Sequence, residues 1–300
     1  MKLSASEKTF KIVCGIIACC IAIASTYPLI YCFAVSICSE TEWVERGGVL
    51  PFFPTHPTFS AYGKVLMSSE SLGRAFLMSI LRTFSGTIIT CFFTSMVGYV
   101  LSKKELPGRS AYMKLLVFTL LFSGGLIPSY INMKNLGLLN TFWVYIIPGL
   151  VGSFNVLIFK QFFEGLPGEI IEAAEMDGVG EIRMLFRIVL PMSKPVFAAI
   201  GLFVMVNNWN AWFDAYIYID QTHSELYTLQ YFTMTTLRNL AQINADANSS
   251  GDSILVGGVS VMATTVKMAL TIVTLLPILI IYPFFQKYFT QGVFLGAVKG

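Results

Sequence analysis

The residues whose types and spacing could do chemistry gather in two stretches. The first runs from Leu166 to Pro191 and reads Leu-Pro-Gly-Glu-Ile-Ile-Glu-Ala-Ala-Glu-Met-Asp-Gly-Val-Gly-Glu-Ile-Arg-Met-Leu-Phe-Arg-Ile-Val-Leu-Pro. Pro167 suits a first helical turn, and Glu169 and Glu172 set negative charge toward the positive end of that helix. Ala173 and Ala174 are small enough to let this face approach another surface closely. Gly178 can take the left-handed conformation that ends a helix. A second short helix then sets Ile182, Leu185, Phe186 and Val189 on one face and Arg183 and Arg187 on the other. The chemistry is that of docking: an amphipathic elbow, or, in a plainer reading, an interfacial helix that only joins two larger elements. The second stretch holds Asn207, Asn208, Trp209, Asn210, Trp212 and Asp214. Indole rings stack on the apolar faces of sugars, and amides or carboxylates bond hydroxyls. Against that reading, tryptophan is also common where a membrane meets water.

No set for bond-breaking chemistry accompanies them. The only histidines, His56 and His223, lie in separate connections, and the six cysteines show no Cys-x-x-Cys spacing, so no metal site is expected. There is no Gly-x-x-x-x-Gly-Lys-Ser/Thr phosphate loop, so the chain is not expected to grip ATP.

The elements that must position these residues follow from composition. Of 300 residues, 55% are hydrophobic and 12% charged, with a mean hydropathy of +0.69. A soluble domain carries about 25% charged residues, so lipid is the solvent for most of this chain. A net charge of +3 is too small and scattered for a nucleic-acid surface. A membrane-crossing helix needs roughly 20 mostly apolar residues. Six stretches qualify, at about 12–38, 75–101, 113–133, 141–163, 195–219 and 262–285. The first runs too long for a signal peptide's apolar core and has no Ala-x-Ala cleavage pattern, so it reads as a retained span.

With the N-terminus placed inside, the inner segments hold thirteen Lys and Arg and the outer segments six, leaving out Arg82 within the second span. Both termini are therefore expected to be cytoplasmic. This orientation puts the Leu166–Pro191 elbow inside, in a connection of about 164–194. Outside it leaves a proline- and aromatic-rich loop at about 39–74 and a connection at about 220–261 that turns polar around Asn244 to Asp252. Three charges, Arg82, Asp214 and Lys267, fall in the outer third of their spans, where each costs roughly 3 kcal/mol or more unless paired or wetted. Either Asp214 pairs with Arg82 or Lys267 as part of an outer gate, or the long basic side chains reach the headgroups.

The elbow carries a resemblance. Glu172-Ala173-Ala174, three residues, Gly178, nine residues and Ile188-x-Leu190-Pro191 match without a gap the signature loop of ABC importer permeases. Phe122–Pro128, Leu136–Asn140, Asn208–Phe213 and Gly296–Gly300 further resemble the maltose-permease-like group of carbohydrate permeases, nearest the subunits that serve oligosaccharides and polysaccharide fragments. The resemblance covers nearly the whole chain. It implies an all-α integral membrane protein with the type I importer fold, six transmembrane helices, and a coupling helix seated in a groove of an ATPase subunit. Glu172 would there meet a basic residue, Ala173 and Ala174 would be close-packed contacts, and Gly178 the bend. The tail, with Lys299, would reach toward the ATPases. The implied partners are a second homologous permease chain, two ATPase subunits that bind the ATP and Mg, and an extracytoplasmic sugar-binding protein. The implied location is the bacterial cytoplasmic membrane. Trp209, Asn210, Trp212 and Asp214 are the candidates for the sugar's path, although in some relatives only one permease of the pair touches the sugar.

The expected organisation is a first span with its outer loop (1–74), a permease core (75–285) and a cytoplasmic tail (286–300). Three rivals remain. An ABC permease for a non-sugar solute shares the signature loop. An ion-coupled secondary transporter would need a carboxylate near a span centre or inverted repeats, and neither is visible. A membrane-bound enzyme would need the catalytic set that is missing.

Overall fold

A computed structural model of the chain describes residues 5–49, 53–67, 69–249 and 264–284. The expected tail 286–300, with Lys299 and Gly296–Gly300, lies outside the described residues, as do 262, 263 and 285 of the last expected span and 250–252 of the polar turn. The described residues are helical, with no strand beyond an isolated bridge between Cys38 and Pro57. In chain order the helices are α1 (Ala5–Ser36), α2 (Glu40–Glu45), α3 (Ser60–Met67), α4 (Ser69–Ser102), α5 (Arg109–Leu121), α6 (Leu126–Asn135) and α7 (Ser153–Glu164). They continue with α8 (Gly168–Met176), α9 (Glu181–Met192), α10 (Lys194–Asn210), α11 (Phe213–Tyr218), α12 (Leu229–Ser249) and α13 (Thr264–Phe284).

By length and composition three helices can cross a membrane alone, α1, α4 and α13, and up to six spans result if each of three bent pairs counts as one. The bends correct the sequence reading. The stretch at 113–133 is not one helix: α5 and α6 meet at 115° across Phe122–Gly125. The stretch at 141–163 opens with two 3-10 turns, Phe142–Tyr145 and Ile147–Gly149, then bends by 51° into α7. At about 1.5 Å per residue, α5 and α7 reach only about 20 Å. Within the connection at about 220–261, α12 occupies Leu229–Ser249.

The chain divides into two units. One gathers the residues up to Leu72 together with Thr233–Leu276. In it Ala34, Val35, Cys38 and Trp43 form a small core with Tyr31 and Met268 beside it. The loop that follows α1 is tied by a carboxylate. Glu42 accepts from the Thr55 amide at 2.6 Å, the Thr55 hydroxyl at 2.8 Å and the His56 amide at 2.9 Å, and pairs with Arg46 at 2.9 Å. The Thr55 and His56 amides, ahead of the Thr55 hydroxyl and Arg46, hold its pKa down to about 2. By contrast most of α1 lies bare: among the described residues its apolar window is wholly unburied. A helix apolar all round must be solvated by lipid or lie against another polypeptide.

The other unit gathers Gly73–Phe232 with the residues from Pro277, and α4 is its spine. Breaking a helix inside lipid frees backbone groups that need partners, and hydroxyls one turn apart on α4 supply them. Thr90 donates to the Gly149 carbonyl at 3.2 Å and Thr94 to Leu150 at 3.4 Å, both at the break before α7. Farther along α4, the Ser79 hydroxyl accepts from the Leu229 amide at 2.7 Å, at the start of α12. The inner core joins Tyr99 of α4 to Phe159 and Phe163 of α7, Met184, Leu185 and Val189 of α9, and Val196 and Ile200 of α10.

The crossing of α4 and α7 depends on Gly98. A Cβ there would lie 2.7 Å from Phe159 Cβ, 3.2 Å from the Lys160 nitrogen and 3.3 Å from the Val156 oxygen. Gly98→Val is expected to destabilise by about 1–3 kcal/mol through overpacking, more than the helix propensity of about 1 kcal/mol that replacing glycine recovers. Its melting point in detergent should fall, and Phe159→Ala should not restore it because two of the clashing atoms are backbone. A melting point equal to wild type would contradict so close a crossing.

Candidate functional site

The elbow hangs from the inner core. After α7, Pro167 precedes the first turn of α8, and α8 ends in a cap built on Gly178 at φ +74°. The Val179 amide reaches back to the Ala174 carbonyl at 3.0 Å and the Gly178 amide to Glu175 at 3.0 Å. These are the two bonds of a Schellman cap, which turns the chain sharply into the second leg. Val179 also packs against the cluster that contains Ala174.

The first leg has two faces. Ala174 is buried against the core of its own chain, so the pair of small residues divides: Ala174 fixes the leg to the bundle, and only Ala173 looks outward. Glu169, Ile170, Glu172, Ala173 and Asp177 are exposed, and Met176 at the tip is 89% exposed. Gly178 is exposed as well.

The second leg departs from the face expected of it. Met184, Leu185 and Val189 are buried, whereas Ile182 and Phe186 are exposed. Met184, Leu185, Val189 and the partly buried Ile188 form an ordinary one-sided helical set, turned away from the expected one. A π-helical turn spans Leu185–Val189 within it. The same turn precedes Pro191, which has no amide to give the preceding turn. Ser193 closes the end, its hydroxyl donating to the Val189 carbonyl at 2.6 Å, and the chain then bends by 82° into α10.

Contacts that sequence alone did not single out tie the elbow to α4. Lys103, just past the end of α4, pairs with Glu175 on the first leg at 3.3 Å and with Glu181 on the second at 3.1 Å. The Tyr99 hydroxyl donates to the other Glu181 oxygen. That hydroxyl first, with Lys103 behind it, holds the Glu181 carboxyl below the usual range. Arg109 donates to the Leu101 carbonyl at 2.9 Å and pairs with Glu164, which also binds Lys160 at 2.8 Å. A basic pair flanking the turn between α4 and α5 was the available signal, but its partners are 55–78 residues away.

At the other end of α4 lies a second constellation. The long stretch at 195–219 breaks after Asn210, where Ala211 is extended and α11 begins two residues later. The orphan Ala211 carbonyl accepts from Arg82 at 3.1 Å, and the same guanidinium pairs with Asp214 and lies 4.5 Å over the Tyr145 ring. Arg82 is buried, whereas the Asp214 carboxylate keeps 38% of its side-chain surface. Lys267 is exposed on α13, in the other unit.

The remaining candidates separate. Trp209 is buried, its ring edge-on to Phe76 at 6.0 Å, so it packs inside the bundle. Asn210 is exposed and Trp212 half-exposed. Trp212 stands edge-on to Phe213 at 5.6 Å and beside Tyr216 at 6.2 Å, which leads to Tyr231 at 6.5 Å. Farther out, Asn140 at φ 57° clasps Asp220: its side-chain amide donates to the carboxylate at 2.7 Å and its oxygen accepts from the Asp220 amide at 2.8 Å. Asp220 in turn binds His223 Nδ1 at 2.8 Å, and that bond raises the imidazole pKa.

Most of the chain is similar to known proteins. Protein LplC of Bacillus subtilis (strain 168) is 38% identical over 273 residues, covering 91% of this chain and 89% of LplC. The polygalacturonan/rhamnogalacturonan transport system permease protein YtcP of the same strain is 36% identical over 280 residues, covering 93% of this chain and 94% of YtcP. A crystal structure of a bacterial ABC transporter involved in the import of the acidic polysaccharide alginate contains a chain similar at a TM-score of 0.80. That likeness has 29% identity and covers 96% of this chain and 99% of that one. The model of one family, described as binding-protein-dependent transport system inner membrane component, matches residues 67–295, a range that takes in the spine, the elbow and the broken span. The chain belongs to that family.

Proposed function

We propose that this chain is the membrane-spanning permease subunit of an importer that takes up oligosaccharides, driven by ATP hydrolysis on separate subunits. The observation that carries the reading is the elbow: a capped, two-legged arm, anchored by Ala174 and the Met184–Leu185–Val189 side, that turns Glu172, Ala173 and Met176 away from its own bundle. Such a face suits a groove in a soluble partner. The chain crosses the membrane six times with both termini in the cytoplasm, each bent pair serving as one span. Residues 1–74 form the first span and outer loop, 75–285 the permease core and 286–300 the tail.

Its partners are a second homologous permease chain, which the bare α1 invites, two ATPase subunits holding ATP and Mg, and an extracytoplasmic sugar-binding protein. It acts in the bacterial cytoplasmic membrane by alternating access: closure of the ATPases pushes the Glu172–Gly178 leg, and the spans behind it swing. Glu172 meets a basic residue of the ATPase, with Ala173 packed beside it. On the outer side Asn210 and Trp212 offer an amide and a half-open ring to the passing sugar, and the Arg82–Asp214 pair belongs to the outer gate. Relatives named for polygalacturonan, rhamnogalacturonan and alginate make oligomers of those polysaccharides the first solutes to test.

Reversing one charge tests the coupling. Glu172→Lys is expected to lower ATP-driven uptake into proteoliposomes by roughly 100-fold, since a like charge facing a basic residue costs several kcal/mol. The complex should still assemble and its ATPases should still bind nucleotide. Normal uptake in this variant would end the coupling account.

A further inference from the structure

We propose that Lys103 is a positioning residue: a strut that braces the elbow across Gly178 and fastens it to the inner end of α4, so that arm and α4 move as one piece. The inference rests on the reading of the elbow as the part that an ATPase pushes.

The geometry is specific to the bend. Glu175 lies three residues before Gly178 and Glu181 three residues after it, and the Lys103 ammonium reaches both, at 3.3 and 3.1 Å. One cation therefore spans the two legs of an angle whose vertex is the left-handed glycine. Isolated exposed ion pairs contribute little, but this one is not isolated. Lys103 lies 5.3 Å over the Tyr99 ring, a cation–π contact. Tyr99 is itself buried, edge-on to Phe163 at 6.3 Å, and donates to the second Glu181 oxygen. Both oxygens of Glu181 are thus held from α4, one by a side chain fixed in the core.

What α4 does with a push follows from its other contacts. It is uninterrupted from Ser69 to Ser102, and Arg82, which holds the Ala211 carbonyl and Asp214 at the break between α10 and α11, is on the same helix as Tyr99. Their separation of 17 residues is about 26 Å along the axis. Displacing the inner end of a continuous helix displaces its outer end, so the strut joins the elbow to the broken span through one rod.

The test needs no knowledge of the solute. In the assembled transporter, p-acetylphenylalanine introduced at Met176 or at Phe213 takes a nitroxide while the six native cysteines stay in place, and the complex is trapped with ATP and vanadate. In an otherwise unaltered chain both labels are expected to change their spectra. In Lys103→Gln the Met176 label should still respond, while the Phe213 response falls at least about fivefold, the low end of an ordinary coupling. Lys103→Arg should keep the response, and the exchange Lys103→Glu with Glu181→Lys should restore more than Lys103→Glu alone retains. A full Phe213 response in Lys103→Gln overturns the strut and leaves the coupling reading intact. A Met176 label indifferent to trapping in the unaltered chain removes both. If Lys103→Gln fails to assemble, Tyr99→Phe decides between the outcomes: an undiminished Phe213 response there overturns the proposal, and a reduced one supports it.

Discussion

Gly178→Pro is expected to abolish ATP-driven uptake while the transporter still assembles. The elbow turns at a residue with φ +74°, and proline is locked near −65°, on the wrong side of the map. It also removes the amide that bonds the Glu175 carbonyl at 3.0 Å. Proline further disfavours the helical conformation in the residue before it, and Asp177, at φ −76° and ψ 2°, closes the last turn of α8. Cap, bend and the direction of the exposed Glu172–Ala173 face are lost together. Gly178→Ala keeps the amide and meets only the left-handed penalty of about 1–2 kcal/mol, so it should lower uptake partially, and Gly178→Asn should lower it least. Uptake that ranks proline equal to asparagine would mean that the bend does not set the arm's direction.

The second large effect is at the Arg82 end of α4. Removing Asp214 should do more harm than removing Arg82, because the partner left behind is in a different place in each case. Asp214→Ala strands a guanidinium that is 2% exposed, and Arg82→Met strands a carboxylate that keeps 38%. Breaking a buried pair by deleting one member costs about 3–5 kcal/mol. Asp214→Ala should fall within that range, tempered by the Ala211 carbonyl that Arg82 still holds, whereas Arg82→Met should fall below it because water reaches the survivor. The double variant Arg82→Met with Asp214→Ala should melt above Asp214→Ala alone, the mark of a coupled pair. Thermal unfolding of the purified complex gives all four values. If Asp214→Ala melts no lower than Arg82→Met, the burial asymmetry does not govern the pair.

Apolar length made α1, α4 and α13 legible, because a run that must shed water shows itself residue by residue. The breaks at Phe122–Gly125 and around Gly149 were not visible to the same measure, since hydropathy cannot tell whether a backbone carbonyl keeps its helical partner. Signals did exist: Gly124, Gly125 and Pro128 in one stretch, Pro148 and Gly149 in the other, and Thr90 and Thr94 one turn apart on the helix that services the second break. The elbow was readable as two legs about a glycine because caps are local. The face of its second leg was not, because Ile182, Met184, Leu185, Phe186, Ile188 and Val189 are all apolar, and a helical period fits the buried Met184, Leu185, Ile188 and Val189 as well as the expected set. Trp209 looked the same to composition whether stacked on a sugar or packed edge-on against Phe76. Lys103 showed locally only as one of a basic pair flanking a turn, since its meaning comes from two carboxylates more than seventy residues away.

The bareness of α1 reaches beyond the folded chain to its supply. Apart from its last turn, where Ala34 and Val35 enter a core of their own chain, this helix is left to lipid or to another polypeptide, and a meeting with a polypeptide is a matter of mass action in two dimensions. If the proposed second permease chain covers it, the durability of this subunit is a property of the cell's stoichiometry as much as of its sequence. Copies made in excess of such a companion would then circulate as orphans, each with an apolar rod open to whatever the bilayer offers.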